Sequence, residues 1–297
     1  MSRPRGRQIE FGANVDPTAD GYPLAVRLAR LADGLGFDLV GIQDHPYQRR
    51  FLYTWTLLAS LAAQTERVRF LPNVGDLPLR PPAMLAKAAA SLDVISGGRV
   101  ELGLGAGAFW EAIAAMGGPD RSPGQAVEAL EEAITVIRMF WSGERGLRFE
   151  GRHYSLGGVH AGPRPAHDIG IWVGGYRPRM LRLVGRLADG WVPSLPYAPP
   201  DAIPEMRRRL DDAAVAAGRS PGDIRRVYNV MGTIAPGPVR QILQGPASHF
   251  VEELTRFVLE LGMDTFVFWP LEDPERQLEL FAREVMPGVR ERTRTAP

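Results

Sequence analysis

Asp44 and His45 stand side by side at the end of an apolar run, in VGIQDHPYQRRF over residues 40–51. An imidazole changes charge near neutral pH, so His45 is the candidate catalytic residue, placed to exchange a proton with a substrate. Asp44 could orient the imidazole or hydrogen-bond a ligand directly. The competing reading is that a histidine before Pro46 caps a strand or ties down a neighbouring loop. A second stretch, IWVGGYRPRML (171–181), reads as a strand, two glycines and a helix with arginines near its first turn. Free N–H groups, the helix dipole and Arg177 or Arg179 together suit a phosphate, although Gly174 and Gly175 could simply make a tight turn. GLGAGA (103–108) fits G-x-G-x-x-A, a dinucleotide fingerprint when it opens a Rossmann sheet. Here it follows a fourth strand, and the helical pattern after it is broken by GGPDRSPG (117–124).

These residues need elements to hold them. Short apolar runs alternate with helical patterns along the chain. Strands are predicted over 8–15, 37–43, 67–74, 99–107, 169–175, 190–194, 224–234 and 264–270. Helices are predicted over 23–36, 54–65, 82–96, 123–143, 178–188, 201–217, 247–261 and 274–285. The sixth unit has the weakest pattern, and residues 144–168, rich in Gly, His and Pro, form the one irregular stretch. Eight strand–helix units without a long linker predict an α/β chain folded as a single (β/α)8 TIM barrel over 1–297, with an insertion around 144–168.

In such a barrel the chemistry sits at the C-terminal strand ends. Those ends carry Asp44-His45, Asn73-Val74, Gly105-Ala106-Gly107, Gly174-Gly175, Trp191 and Ser194, Met231 and Trp269. The glycine-bearing ends permit close backbone approach to a ligand, and aromatic residues such as Trp191 offer walls for a flat ring. No pair of carboxylates and no cluster of metal ligands appears among them. His153, His160 and His167 recur every seven residues, but in a Gly/Pro loop that spacing has no fixed geometry, and no metal site is expected. The mouth is shaped for something that brings its own reactivity, as a redox cofactor does.

Composition narrows the classes further. Lys and Arg number 35 against 34 Asp and Glu, a net charge of +1, so no field for nucleic acid is present. With no cysteine, disulfides and thiolate metal sites are excluded. No apolar run approaches a membrane span, and MSRPRGRQIEF lacks the apolar segment of a secretion signal, so a cytoplasmic location is expected.

LADGLGFDLVGIQDHPY (31–47), SLDVISGGRVELGLGAG (91–107), EEAITVIRMFWSG (131–143), FEGRHYSL (149–156) and IWVGGYRPRMLRLVGRLADGW (171–191), in that order, resemble one family. It is the bacterial luciferase-like flavin-dependent oxidoreductases, which include coenzyme F420-dependent reductases and dehydrogenases. The resemblance implies a barrel mouth holding FMN or the deazaflavin F420. His45 resembles the histidine that exchanges a proton at the substrate in F420-dependent members, and Asp44 its cofactor-contacting neighbour. Asn73-Val74 matches the third-strand bulge, where the family often has a non-proline cis peptide behind the ring. Gly174 and Gly175 match the phosphate-contacting pair. The family's sugar-phosphate dehydrogenases carry a glutamate and a tryptophan where this chain has Ala108 and Arg49, so their relay is absent, with Glu111 the nearest carboxylate in sequence.

The expectation is F420-dependent hydride transfer to or from a small organic substrate. The alternatives are an FMN-dependent monooxygenase fed by a separate reductase, a non-catalytic flavin-binding barrel, and a nicotinamide-dependent Rossmann enzyme built on GLGAGA. A homodimer is expected from the family, with Trp55 and the alanines of 82–96 in helix packing or at a subunit interface. Substrate choice falls to loops 46–53, 108–122, 144–168 and 235–246, and Arg49, Arg50 and Arg80 are candidate anion attractors.

Overall fold

The computed structural model describes residues 7–295; the basic residues that open the chain lie outside that range. The strand runs β1 (Glu10–Asn14), β2 (Leu39–Ile42) and β3 (Arg69–Pro72) come first, and β4 (Gly75–Asp76) resumes β3 after Asn73-Val74. β5 (Leu102–Gly105) follows, and β6 (Leu147–Glu150) and β7 (Ser155–Val159) pair only with each other, antiparallel. β8 (Ile171–Val173), β9 (Gly190–Trp191), β10 (Arg225–Ile234), β11 (Gln244–Gly245) and β12 (Thr265–Pro270) complete the set.

The main sheet is parallel, in the order β3-β2-β1-β12-β10-β9-β8-β5-β4, with β11 appended to β10. It closes where Phe70 bridges Val100: Phe70 N–H donates to the Arg99 carbonyl at 2.8 Å, and Glu101 N–H to the Phe70 carbonyl at 2.9 Å. Counting β3 and β4 as one interrupted stave, the eight predicted strands all become staves of a (β/α)8 barrel. The weak sixth is there, reduced to Gly190–Trp191.

The helices are α1 (Tyr22–Leu35), α2 (Thr54–Ala62), α3 (Pro82–Ser96), α4 (Trp110–Ala115) and α5 (Pro123–Trp141), then α6 (Pro178–Leu187), α7 (Ile203–Ala216), α8 (Ala247–Leu259), α9 (Pro274–Leu280) and α10 (Met286–Thr295). Their ends follow from local chemistry. α3 opens on proline at its first position and stops at Gly97, whose φ of 72° lies in the left-handed region. α5 starts in a capping box, with Ser122 and Gln125 each satisfying the other's backbone N–H.

Three features depart from the sequence reading. The irregular insertion contains the β6–β7 hairpin, whose turn is held by Glu132 accepting from the N–H groups of Arg152, His153 and Tyr154. α4 is a short helix inside a loop predicted as broken. The last helical pattern does not end at 285 but continues, through a π-turn at Phe281–Val285, into α10.

The barrel interior is a small apolar layer of Leu39, Leu71, Trp172, Val192, Val227 and Val267, with Val74 packed on top. Each fully buried aliphatic contributes roughly 1.5–3 kcal/mol. Below it, at the N-terminal strand ends, Arg69 pairs with Glu10 and with Glu101, and Arg225 lies 3.0 Å from Glu10. Polar pairs thus seal one end, which leaves the other for chemistry.

Candidate active site

The peptide between Asn73 and Val74 is cis. It interrupts the third stave, and the Asn73 side chain turns inward to a buried belt. Its Nδ2 donates to Asn229 Oδ1 at 2.7 Å, and Asn229 Nδ2 donates to Ser194 Oγ at 2.9 Å. Val74 is half-buried, and its Cγ2 lies 3.0 Å from where a Cβ would stand on either Gly105 or Gly174. Those two glycines therefore make room for Val74, which becomes an apolar step in the mouth wall. Gly107 has φ 100°, and a Cβ there would stand 2.7 Å from Pro78 and 2.8 Å from Trp110. Ala106 is buried between these glycines.

At the end of β2 the two side chains that open the sequence argument part company. Asp44 is 1% exposed, and both of its oxygens are engaged. Arg80 Nη2 donates to Oδ1 at 2.9 Å, Arg80 Nη1 lies 2.7 Å from Oδ2, and Asp76 N–H donates to Oδ2 at 2.9 Å. Arg80 also donates through Nε to the Tyr53 hydroxyl at 2.9 Å and through Nη1 to the Asp76 carbonyl at 2.9 Å. Two expectations change here. Asp44 has no open surface with which to touch a cofactor, so it acts through the loop it holds. Arg80 is a buried partner of Asp44 rather than an exposed anion attractor, whereas Arg49 and Arg50 are exposed, and Arg50 pairs with Asp20.

His45 is only partly buried and faces an aromatic bracket. Its Nδ1 lies 2.7 Å from the Tyr47 hydroxyl, and Phe109 meets the ring edge-on at 5.6 Å. Burial lowers the His45 pKa, a shift that Asp44 partly opposes, so the ring is neutral at physiological pH. Burial, and then the carboxylates of Asp76 and Asp44, push the Tyr47 phenol well above its ordinary value. Asp76 itself is pushed up to about 6, by burial first and by Asp44 besides, against the Leu79 N–H and Arg80. Sequence reasoning missed Tyr47, Asp76, Phe109 and Asn229. Tyr47 had a signal, being inside the quoted DHPY run, whereas Asn229 sits mid-strand in β10 and had none.

The fifth-strand turn behaves differently from the second. Trp191 is completely buried, and its indole N–H donates to the Gly175 carbonyl at 2.9 Å. It braces the turn from behind and offers no ring face to a ligand, which corrects its expected place as a wall. α6 then begins with Arg177 as its N-cap and no capping side chain. Pro178 has no N–H, so the N–H groups of Arg179 and Met180 are the ones this helix start offers to an anion. Of the two arginines considered, Arg179 is held by Glu128 at 2.9 Å, whereas exposed Arg177 makes no such pair among the described residues. An uncapped helix start, a free guanidinium and the Val74 step fit a flat ring carrying a phosphate tail.

The remaining sequence motifs resolve elsewhere. GLGAGA lies on the fourth stave of a barrel and leads to Phe109 and the six-residue α4, so the nicotinamide Rossmann reading fails. His153 lies 3.6 Å from Glu128, His160 accepts from Gly146 N–H at 3.3 Å, and His167 lies 2.8 Å from Asp93. Three separate partners disperse the seven-residue repeat, and no group of three or more metal-ligating side chains occurs among the described residues. No helix there is long and apolar enough to cross a membrane.

Barrel, bulge and imidazole together describe a TIM barrel with a candidate site at its C-terminal mouth, and its similarity to known proteins makes it an oxidoreductase. Residues 8–240 match the model of the luciferase-like monooxygenases, and the chain belongs to that family. An uncharacterised protein of Mycobacterium tuberculosis is 31% identical over 290 residues, covering 90% of this chain and 96% of its own length. An F420-dependent glucose-6-phosphate dehydrogenase of Microbacterium testaceum is 28% identical over 340 residues, covering 96% and 98%. Among solved structures, an F420-dependent secondary alcohol dehydrogenase in complex with an F420-acetone adduct superposes with a TM-score of 0.86 at 19% identity, covering 95% of this chain and 99% of that one. The oxygenating constituent of 3,6-diketocamphane monooxygenase from Pseudomonas putida, in complex with FMN, superposes at 0.77 and 20% identity, covering 95% and 99%.

Proposed function

We propose that this oxidoreductase uses coenzyme F420 to move a hydride to or from a small organic substrate, with His45 exchanging the accompanying proton. The observation that carries the reading is His45 itself, a neutral, partly open imidazole on the second stave beside the third-stave bulge. Full-length similarity to a relative named for F420 supports the choice of cofactor. When bound, the deazaflavin supplies hydride chemistry. Val74 would back its ring, and Gly174, Gly175 and Arg177 would hold its phosphate, while Asn73 is tied to Asn229. Tyr47 is bonded to His45, whereas Ala108, Arg49 and Glu111 are all exposed, so the relay of the sugar-phosphate dehydrogenases has no counterpart here. F420 binding then directs the substrate search to alcohols, enones and imines.

The test is a parallel titration of cofactor-free protein with F420 and FMN, read by calorimetry or cofactor fluorescence. Micromolar F420 binding with FMN failing supports the reading. FMN binding alone replaces it with the two-component monooxygenase, served by a separate reductase, and binding of neither removes the cofactor site. A homodimer in the cytoplasm completes the proposal. Support for the dimer is the outer face of α3, where Met84 is 60% and Ile95 73% exposed.

A further inference from the structure

The bond between His45 and Tyr47 has two possible senses, and the surroundings choose between them. The Tyr47 hydroxyl keeps its proton, because burial and the carboxylates of Asp76 and Asp44 oppose its ionisation. Among the described residues that hydroxyl has one hydrogen-bond partner, His45 Nδ1 at 2.7 Å. If Nδ1 carried hydrogen and donated, the phenol O–H would be left without an acceptor in a half-buried place, an unfavourable arrangement. If the phenol donates, every group is satisfied. His45 Nε2 has no protein partner and is not among the buried polar atoms sealed from solvent.

We propose that Tyr47 is a positioning residue for His45: its hydroxyl donates to Nδ1, so the imidazole presents Nε2–H to whatever occupies the mouth. Phe109 completes the bracket, lying 5.6 Å from the His45 ring and 5.7 Å from that of Tyr47. The titratable groups facing the imidazole are Tyr47, bonded to Nδ1, and Asp44, the one charge that acts on it; Asp76 acts on Tyr47 and Arg80 on Asp44. Asp44 is neutralised by Arg80, and Asp76 donates its own N–H to Asp44. Phe109, from the loop after β5, brings no charge. A substrate oxygen therefore meets a hydrogen-bond donor in the resting protein, which polarises a carbonyl or enone for hydride addition without itself giving up the Nε2 proton. The group that sets this state, Tyr47, stands two residues past the histidine, on a different strand end from Ala108, which occupies the place of the sugar-phosphate enzymes' glutamate.

The positioning role rests on the proposed proton exchange at His45; the tautomer does not. Nitrogen NMR of cofactor-free, 15N-histidine-labelled protein at about pH 8, where histidine is neutral, reads the tautomer directly. Expected are a protonated Nε2 and a bare Nδ1 whose resonance moves in Tyr47→Phe, which keeps the ring. A protonated Nδ1, or a resonance unmoved by the substitution, overturns the proposal. In turnover, Tyr47→Phe lowers kcat about tenfold with KM little changed, the worth of one hydrogen bond. Added to His45→Ala, it has no further effect. An equal loss in both backgrounds overturns the positioning role in favour of a structural one. Full turnover in His45→Ala alone refutes the proton-exchange reading, and with it the role of Tyr47, while the NMR result stands or falls separately.

Discussion

Replacing Arg80 with methionine leaves Asp44 as a buried charge with one donor. In the intact protein the Arg80 side chain is 8% exposed and that of Asp44 is 0% exposed, so water cannot replace the guanidinium. Asp44 loses two contacts, at 2.7 and 2.9 Å, and keeps only the Asp76 N–H. The Tyr53 hydroxyl and the Asp76 carbonyl lose their donor as well. Breaking such a pair by removing one partner costs about 3–5 kcal/mol. At about 2 °C per kcal/mol for a chain of this size, the melting temperature falls by roughly 6–10 °C.

A double variant sharpens the test. Adding Asp44→Asn removes the stranded charge and recovers much of the loss. Denaturant unfolding measures all three chains. A loss under about 1 kcal/mol, or a double variant no better than Arg80→Met alone, refutes the account of this pair as structural.

His45→Ala lowers turnover by about a hundredfold or more while cofactor affinity, measured by titration, changes little. Asp76, with a folded pKa of about 6 against 3.8 for a free aspartate, contributes stability at low pH that is lost as pH rises through about 6. Asp76→Asn therefore flattens the stability profile between pH 4 and 7 and gains on the order of 2 kcal/mol at pH 8, read by denaturant unfolding. Ile95→Arg places a charge on the exposed face of α3, and light scattering should show a dimer becoming a monomer with the fold intact.

The barrel was legible because every stave carries its own signal. Each is a short apolar run followed by a helix, and even the two-residue β9 sits in GWVPS between two helical patterns. The β6–β7 hairpin was not legible, because its turn depends on Glu132, outside the hairpin, gathering three N–H groups that periodicity does not register. α10 escaped for a related reason. The π-turn at Phe281–Val285 changes the helical phase, and the pattern read from α9 runs out there. In the site, strand-end logic found the backbone positions but not the side-chain roles. Asp44 and Trp191 lie at strand ends as expected, yet Arg80 and the Gly175 carbonyl, their partners, turn both into supports.

That division between support and contact explains where the chain leaves itself free to vary. Asn73, Asn229 and Ser194 form one hydrogen-bonded belt across the mouth, and Asp44 with Arg80 pins the segment just after the bulge. Both constraints act on the third stave, so the wall formed by Asn73 and Val74 is tied down from two sides. Phe109 is 52% exposed, and it comes from a loop that places only a short helix before α5. A substrate approaching His45 therefore passes between a fixed wall and an open loop. Changes at Phe109 and its neighbours should alter which substrates are accepted while leaving cofactor affinity in place, because the hydrogen bonds of the belt and the buried pair run to Ser194, Tyr53 and Asp76.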